Sequence, residues 1–165
     1  MPIGNEKFVD NPENSDIISS MERPIEQAHP ADIIWGRELN HRQKEILDNL
    51  PNRGSRYVAR KRDVSMLDLS ALTANTGDEF AMFTRKGERL IVRGNKVGVP
   101  LSVDDLKNLR TNGYRWSGHT HVGDRDVNLV SSEGDKLALK TMKQQNSVIY
   151  NAAGKHRLIY PKDGN

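Results

Sequence analysis

Two pairs of short apolar runs, each pair joined by a glycine-containing turn, constrain this chain more than any other feature of it. Glu79-Phe80-Ala81-Met82-Phe83-Thr84 and Arg89-Leu90-Ile91-Val92-Arg93 flank Arg85-Lys86-Gly87-Glu88. Ser147-Val148-Ile149-Tyr150 and His156-Arg157-Leu158-Ile159-Tyr160 flank Asn151-Ala152-Ala153-Gly154-Lys155. Apolar runs of this length around such turns predict two β-hairpins.

The segments between and before them read as helices. Ile33, Ile34, Leu39, Ile46, Leu47 and Leu50 follow a helical spacing from Asp32 onward, most regular over residues 40 to 50, where Pro51 stops it. Asp63 can cap a second helix, in which Met66, Leu69, Leu72 and Thr73 recur until Asn75-Thr76-Gly77 ends it. Pro100 and Ser102 introduce a third over residues 103 to 109, closed by Asn112-Gly113. Tyr114-Arg115-Trp116-Ser117-Gly118-His119-Thr120-His121 reads as a strand ending in histidines. A polar loop over residues 122 to 130 follows, and Ser132 then precedes a helix with Leu137, Leu139 and Met142 as its apolar contribution. This order predicts an α/β domain whose mixed, mainly antiparallel sheet is flanked by helices.

A chain of 165 residues suits one domain with a real core. Residues 1–30 hold four of the seven prolines, are polar and lack periodicity, the composition of a tail or linker, which leaves residues 31–165 as the single domain. No apolar run approaches the ~20 residues needed to span a bilayer, so no membrane partner is expected. Met1-Pro2-Ile3-Gly4-Asn5-Glu6 lacks the basic start and apolar core of a signal peptide, which makes the cytoplasm the default location.

With no cysteine, disulfides, thiolate zinc sites and cysteine nucleophiles are excluded, and any metal must sit on His, Asp or Glu. Basic and acidic residues, 25 and 22, are interspersed, a pattern that argues against nucleic acid as a partner. Arg56, Arg60, Lys61 and Arg62 form the only dense basic group and read as a solvated face.

The chemistry-bearing pattern is His119-Thr120-His121. Strand residues two apart project from one face, so the two imidazoles can reach one ion. Catalytic zinc takes three protein ligands and keeps one position open, and Asp135, at the start of the next helix, is the natural third. Asp124 and Asp126, close to His121, are alternative ligands or partners for a second ion. Hydrolysis at such an ion needs a base, and Glu79, at the start of a hairpin strand, can lie at the same end of the sheet. Ser132 can donate a hydrogen bond to a developing oxyanion, or simply cap its helix. His29, His41 and His156 read as solvated or strand-surface residues, and Trp35 and Trp116 as packing.

Glu79 before a hairpin, His119-Thr120-His121 at a strand end and Ser132-Glu133-Gly134-Asp135 opening a helix together resemble the JAMM motif of MPN-type zinc metalloproteases. The resemblance runs from about Asp63 to Tyr160. It implies a zinc-dependent hydrolase of peptide or isopeptide bonds, with Glu79 as base, His119, His121 and Asp135 on zinc, and Ser132 assisting the transition state. Ten residues separate His121 from Ser132, a longer loop than that family usually has, and Val122 stands where a proline is frequent. Gly77 to Thr84, Ser117-Gly118-His119-Thr120-His121 and Ser147-Val148-Ile149-Tyr150-Asn151 also resemble domains at the ends of phage head-morphogenesis proteins and bacterial polymorphic toxins. That resemblance implies a phage or toxin parent chain. It also leaves two other functions to weigh, a non-catalytic module of a phage particle and a metal-dependent toxin nuclease.

Overall fold

The computed structural model describes residues 38–162. The tail expected over residues 1–30, the start of the first helical pattern, His29 and Trp35 lie outside that range.

The first helix, α1 (His41–Asp48), begins at Asn40, whose side chain accepts from Gln43 N–H while the Gln43 side chain accepts from Asn40 N–H. The same reciprocal cap, built from Ser and Asp three residues apart, opens α2 (Met66–Thr76), α3 (Val103–Thr111) and α4 (Glu133–Met142). Asp63 is therefore not the cap of α2. It belongs to a short 3-10 turn, Lys61–Asp63, and pairs with Arg60, while Ser65 and Asp68 close the helix end two residues later. At the other end Gly77 adopts φ +77 and ends α2 in the left-handed conformation that glycine tolerates.

The six-stranded sheet runs β1 (Arg56–Arg60), β3 (Glu88–Arg93), β2 (Phe80–Arg85), β4 (Arg115–Thr120), β5 (Ser147–Tyr150), β6 (His156–Ile159). Every neighbouring pair is antiparallel except β4 with β5. The fold is thus the α/β arrangement, mixed and mainly antiparallel, that the element order predicts. One strand goes beyond it. Arg56 to Arg60, read as part of a solvated basic face, is an edge strand in register with β3 from Arg56 opposite Val92 to Arg60 opposite Glu88. Arginines at both ends suit a strand whose outer edge is unpaired among the described residues.

Helices cover both faces, so the central strand β2 reads as a continuous apolar run because both of its sides are buried. Ala81 and Phe83 point to one face with Leu90, Val92, Trp116 and Ile149, under Leu106 and Leu109 of α3 and Leu139 and Met142 of α4. Phe80 and Met82 point to the other with Ile91, under Leu69 and Leu72 of α2 and Ile46 of α1. No helix among the described residues is long and apolar enough to cross a membrane.

Strand β4 carries a bulge. Met82 stands opposite Gly118 and Phe83 opposite Trp116, which leaves Ser117 as the extra residue. The bulge turns Trp116 and His119, three apart in sequence, to the same face, where their rings lie 5.0 Å apart. Gly118 sits where β4 comes closest to its surroundings: a Cβ there would lie 2.7 Å from Val148 Cγ1 and 3.0 Å from Met66 Sδ. Gly118→Ala should therefore push β4 off β5 and α2 and cost about 1–3 kcal/mol by overpacking. Urea denaturation checks this, and an unchanged midpoint would contradict so tight a contact.

Candidate metal centre

The site lies where β4 ends and α4 begins. His119 is the penultimate residue of β4, directly opposite Ala81 of β2 and beside Ile149 of β5. His121 follows the strand and donates its backbone N–H to Tyr150 O at 2.9 Å, extending the parallel pairing by one residue. Thr120, between them, points the opposite way. Its hydroxyl, fully buried, accepts from Phe80 N–H at 2.9 Å and bonds Thr73 of α2 at 2.5 Å. The strand end is thereby tied to both β2 and α2, and the two imidazoles are left on one face.

Their Nε2 atoms converge to 3.1 Å, with the rings edge to face. His121 Nδ1 lies 2.8 Å from the backbone oxygen of Asn128. A carbonyl can only accept, so Nδ1 carries the proton and, in the neutral ring, Nε2 presents a lone pair. This is the arrangement by which an outer hydrogen bond sets the tautomer of a metal-binding histidine. The loop that supplies Asn128 is not the featureless polar segment that its composition predicts. It contains a 3-10 turn, Asp126–Leu129, which brings Asn128 O onto the ring.

Two carboxylates flank the imidazole pair. Glu79, 2% exposed, precedes β2, which runs antiparallel to β4, so it arrives at the same end of the sheet. It forms with His119 and His121 a buried group whose ligand atoms all lie within 4.8 Å of one another, and which could hold a metal ion. Asp135 approaches from α4, with Oδ1 2.9 Å from His119 Nε2 and Oδ2 3.3 Å from His121 Nε2. Its Oδ2 also accepts from Ser132 N–H at 2.9 Å, and Ser132 Oγ accepts from Asp135 N–H at 3.0 Å. The reciprocal cap that starts the helix thus also aims Asp135 at the histidines. Ser132 fills its helix-capping role here, with its hydroxyl the acceptor in that cap.

Asp126 is exposed and pairs with Lys155 at 3.6 Å, and Asp124 is half-buried, so the aspartate in contact with both imidazoles is Asp135. His41 is exposed at the start of α1, and His156 stacks on Tyr150 on β6. Asn128, whose carbonyl orients His121, is absent from the motif-based set. A backbone acceptor leaves no trace in residue type. No protein-family model, curated protein or solved structure matches this chain.

Burial is the largest single influence on Asp135 and raises its pKa. The charge and hydrogen bond of His119, joined by those of His121 when its ring is protonated on both nitrogens, outweigh it and hold the carboxyl well below its ordinary value of 3.8. A folded-state pKa depressed in this way means that the carboxylate stabilises the metal-free protein fully above the unfolded value. That contribution is lost as the pH falls through the lower folded value. Asp135→Asn should accordingly flatten the acid limb of a plot of urea stability against pH, measured with chelator present. Parallel limbs for wild type and variant would contradict this origin of the shift.

Proposed function

We propose that the chain is a zinc-dependent hydrolase of peptide or isopeptide bonds with a centre of JAMM type. In this reading His119, His121 and Asp135 hold the ion, Glu79 is the general base and Ser132 assists at the oxyanion. The observation that carries it is the convergence of three donor groups. The Nε2 atoms lie 3.1 Å apart and the Asp135 oxygens 2.9 and 3.3 Å from them. Zinc bonds of about 2.0–2.1 Å at tetrahedral angles require neighbouring donors roughly 3.3 Å apart, so the donor set fits the ion with little rearrangement. Oxygen and imidazole donors also suit it, and the lone pair fixed on His121 Nε2 is the form that binds.

When bound, zinc supplies a Lewis acid that polarises an amide carbonyl and acidifies water. The remaining work falls to side chains of this chain. Of the two carboxylates, Asp135 touches both imidazoles and is spent as a ligand, which leaves Glu79 to accept a proton from water and return it to the leaving amine. Its position before β2, buried and within 4.8 Å of the histidine donors, supports that role. Ser132 can donate its hydroxyl proton to the oxygen of the amide as negative charge develops there. The substrate class is a peptide or an isopeptide-linked protein.

Elemental mass spectrometry on protein purified without chelator or histidine tag tests the ligand set. Wild type should carry about one zinc per chain, and His119→Ala and Asp135→Ala should lose it. A wild type without zinc, even after incubation with the ion, would remove the hydrolase reading. Glu79→Gln should keep the metal and lose about 10²–10⁴-fold of the hydrolytic rate on a peptide or isopeptide substrate that the wild type cleaves. Full activity in that variant would sink the assignment of the base, and metal-dependent cleavage of RNA or plasmid instead of amides would turn the reading to a nuclease.

A further inference from the structure

Asn151, the residue after β5, is fully buried, and its side-chain amide is used on both sides. Its Oδ1 accepts from Ala153 N–H at 2.9 Å and Lys155 N–H at 3.0 Å, folding the turn between β5 and β6. Its Nδ2 donates out of that turn, to the backbone oxygen of Arg125 at 3.2 Å. The neighbouring Ala152 N–H donates to Gly123 O at 2.7 Å. The β5–β6 turn therefore grips the loop that leaves His121, at residues 123 and 125. From the other side, Arg125 N–H donates to the side-chain oxygen of Asn128 at 2.8 Å. The peptide groups of Arg125 are held by two buried asparagine amides, one from the turn and one from the 3-10 segment whose carbonyl accepts from His121.

We infer that Asn151 is a positioning residue for the metal centre: by anchoring Arg125 it fixes the 3-10 segment Asp126–Leu129, and so holds Asn128 O where it keeps the proton on His121 Nδ1. The inference rests on the metal-centre reading for its consequence in affinity, but not for its consequence in tautomer. Without the Arg125 anchor, the 3-10 segment can shift away from the ring. His121 then loses the acceptor that favours the Nδ1–H form, and part of the population carries the proton on Nε2, where it blocks a ligand position. Outer hydrogen bonds of this kind are worth about 10–100-fold in metal affinity.

Asn151→Asp isolates the contact. The aspartate keeps an oxygen for Ala153 and Lys155 N–H, and those two donors favour its ionised form, but it presents an oxygen instead of a donor to Arg125 O. Ser70→Ala is the control. It removes a different tie of the same turn, Ser70 Oγ donating to Asn151 O at 2.5 Å, without touching the Arg125 anchor. Nitrogen-15 NMR of the imidazoles in chelator-treated full-length protein should show His121 protonated at Nδ1 in wild type and Ser70→Ala, and a mixture of tautomers in Asn151→Asp. Titration with zinc alone should show affinity about 10–100-fold weaker in Asn151→Asp and unchanged in Ser70→Ala.

A wild-type tautomer and wild-type zinc affinity in Asn151→Asp would overturn the inference. Should that variant not fold, linkage supplies a measurement on the wild type. If the anchor favours zinc binding, zinc must stabilise the anchor, so the ion should slow exchange of the Asn151 side-chain amide protons. Unchanged exchange at saturating zinc would count against it. A wild type that binds no zinc removes the metal reading, while the tautomer comparison still decides the role of Asn151.

Discussion

The parallel pairing of β4 with β5 is the constraint on which the site depends. Antiparallel neighbours can be joined by a tight turn, but two parallel strands need a crossover that carries the chain back across the sheet. Here the crossover is α4, so a helix must begin near the end of β4 at which the histidines emerge. Once that is so, a strand end, a helix N-terminus and the connecting loop have to meet outside the carboxyl ends of the parallel pair, where ligand sites of α/β sheets tend to form. Antiparallel pairing of β2 with β4 then brings Glu79 to the same place. One parallel pair in an otherwise antiparallel sheet thus accounts for how residues 79, 119, 121 and 135 share one end of the fold.

Much of this was legible in the sequence because it is local. Helix caps, glycine stops and paired apolar runs act over a few residues, and His119 and His121 share a face by the period of a strand. The less legible parts are those in which local chemistry is ambiguous. Ser-x-x-Asp occurs at Ser65, Ser102 and Ser132, and in each case it closes the same reciprocal cap. Only at Asp135 does the tertiary fold add two histidines, so the motif by itself specifies a helix start and nothing more. Strand β1 was hidden for a different reason. Its arginines suit an edge strand and a solvated face equally, and only the register with β3 distinguishes them. Asn128 acts through a backbone oxygen and Asn151 through the loop it grips, and neither role is a property of residue type or spacing.

The ten-residue loop between His121 and Ser132 shows how a surface connection can hold a ring in place. Extra residues in a surface connection cost little closure entropy, but a slack loop could not hold a ring in place. Here part of the loop is folded into the 3-10 turn Asp126–Leu129, and the backbone of that turn becomes the acceptor for His121. Gly123, at φ +105, makes the bend that sends the chain toward that turn. Its carbonyl is then taken up by Ala152 N–H.

Two imidazoles and two carboxylates with almost no exposure are expensive to bury. Burying polar groups opposes folding unless each finds compensation, and local departures from what stability prefers concentrate at functional sites. The helix cap compensates Asp135, and the Asn128 carbonyl compensates His121. The cap at Ser65 shows that a helix of this fold can start without histidines nearby, so the fold alone gives no reason for this cluster. Glu79 is the most telling member. Its backbone N–H and C=O make the strand pairing toward Asn95 and Gly94, and its buried side chain stands with His119 and His121 in a group that could hold a metal ion. A second buried carboxylate beside the histidines is also what a reaction that must move a proton would require, which is why the proposed hydrolase assigns Glu79 as its base.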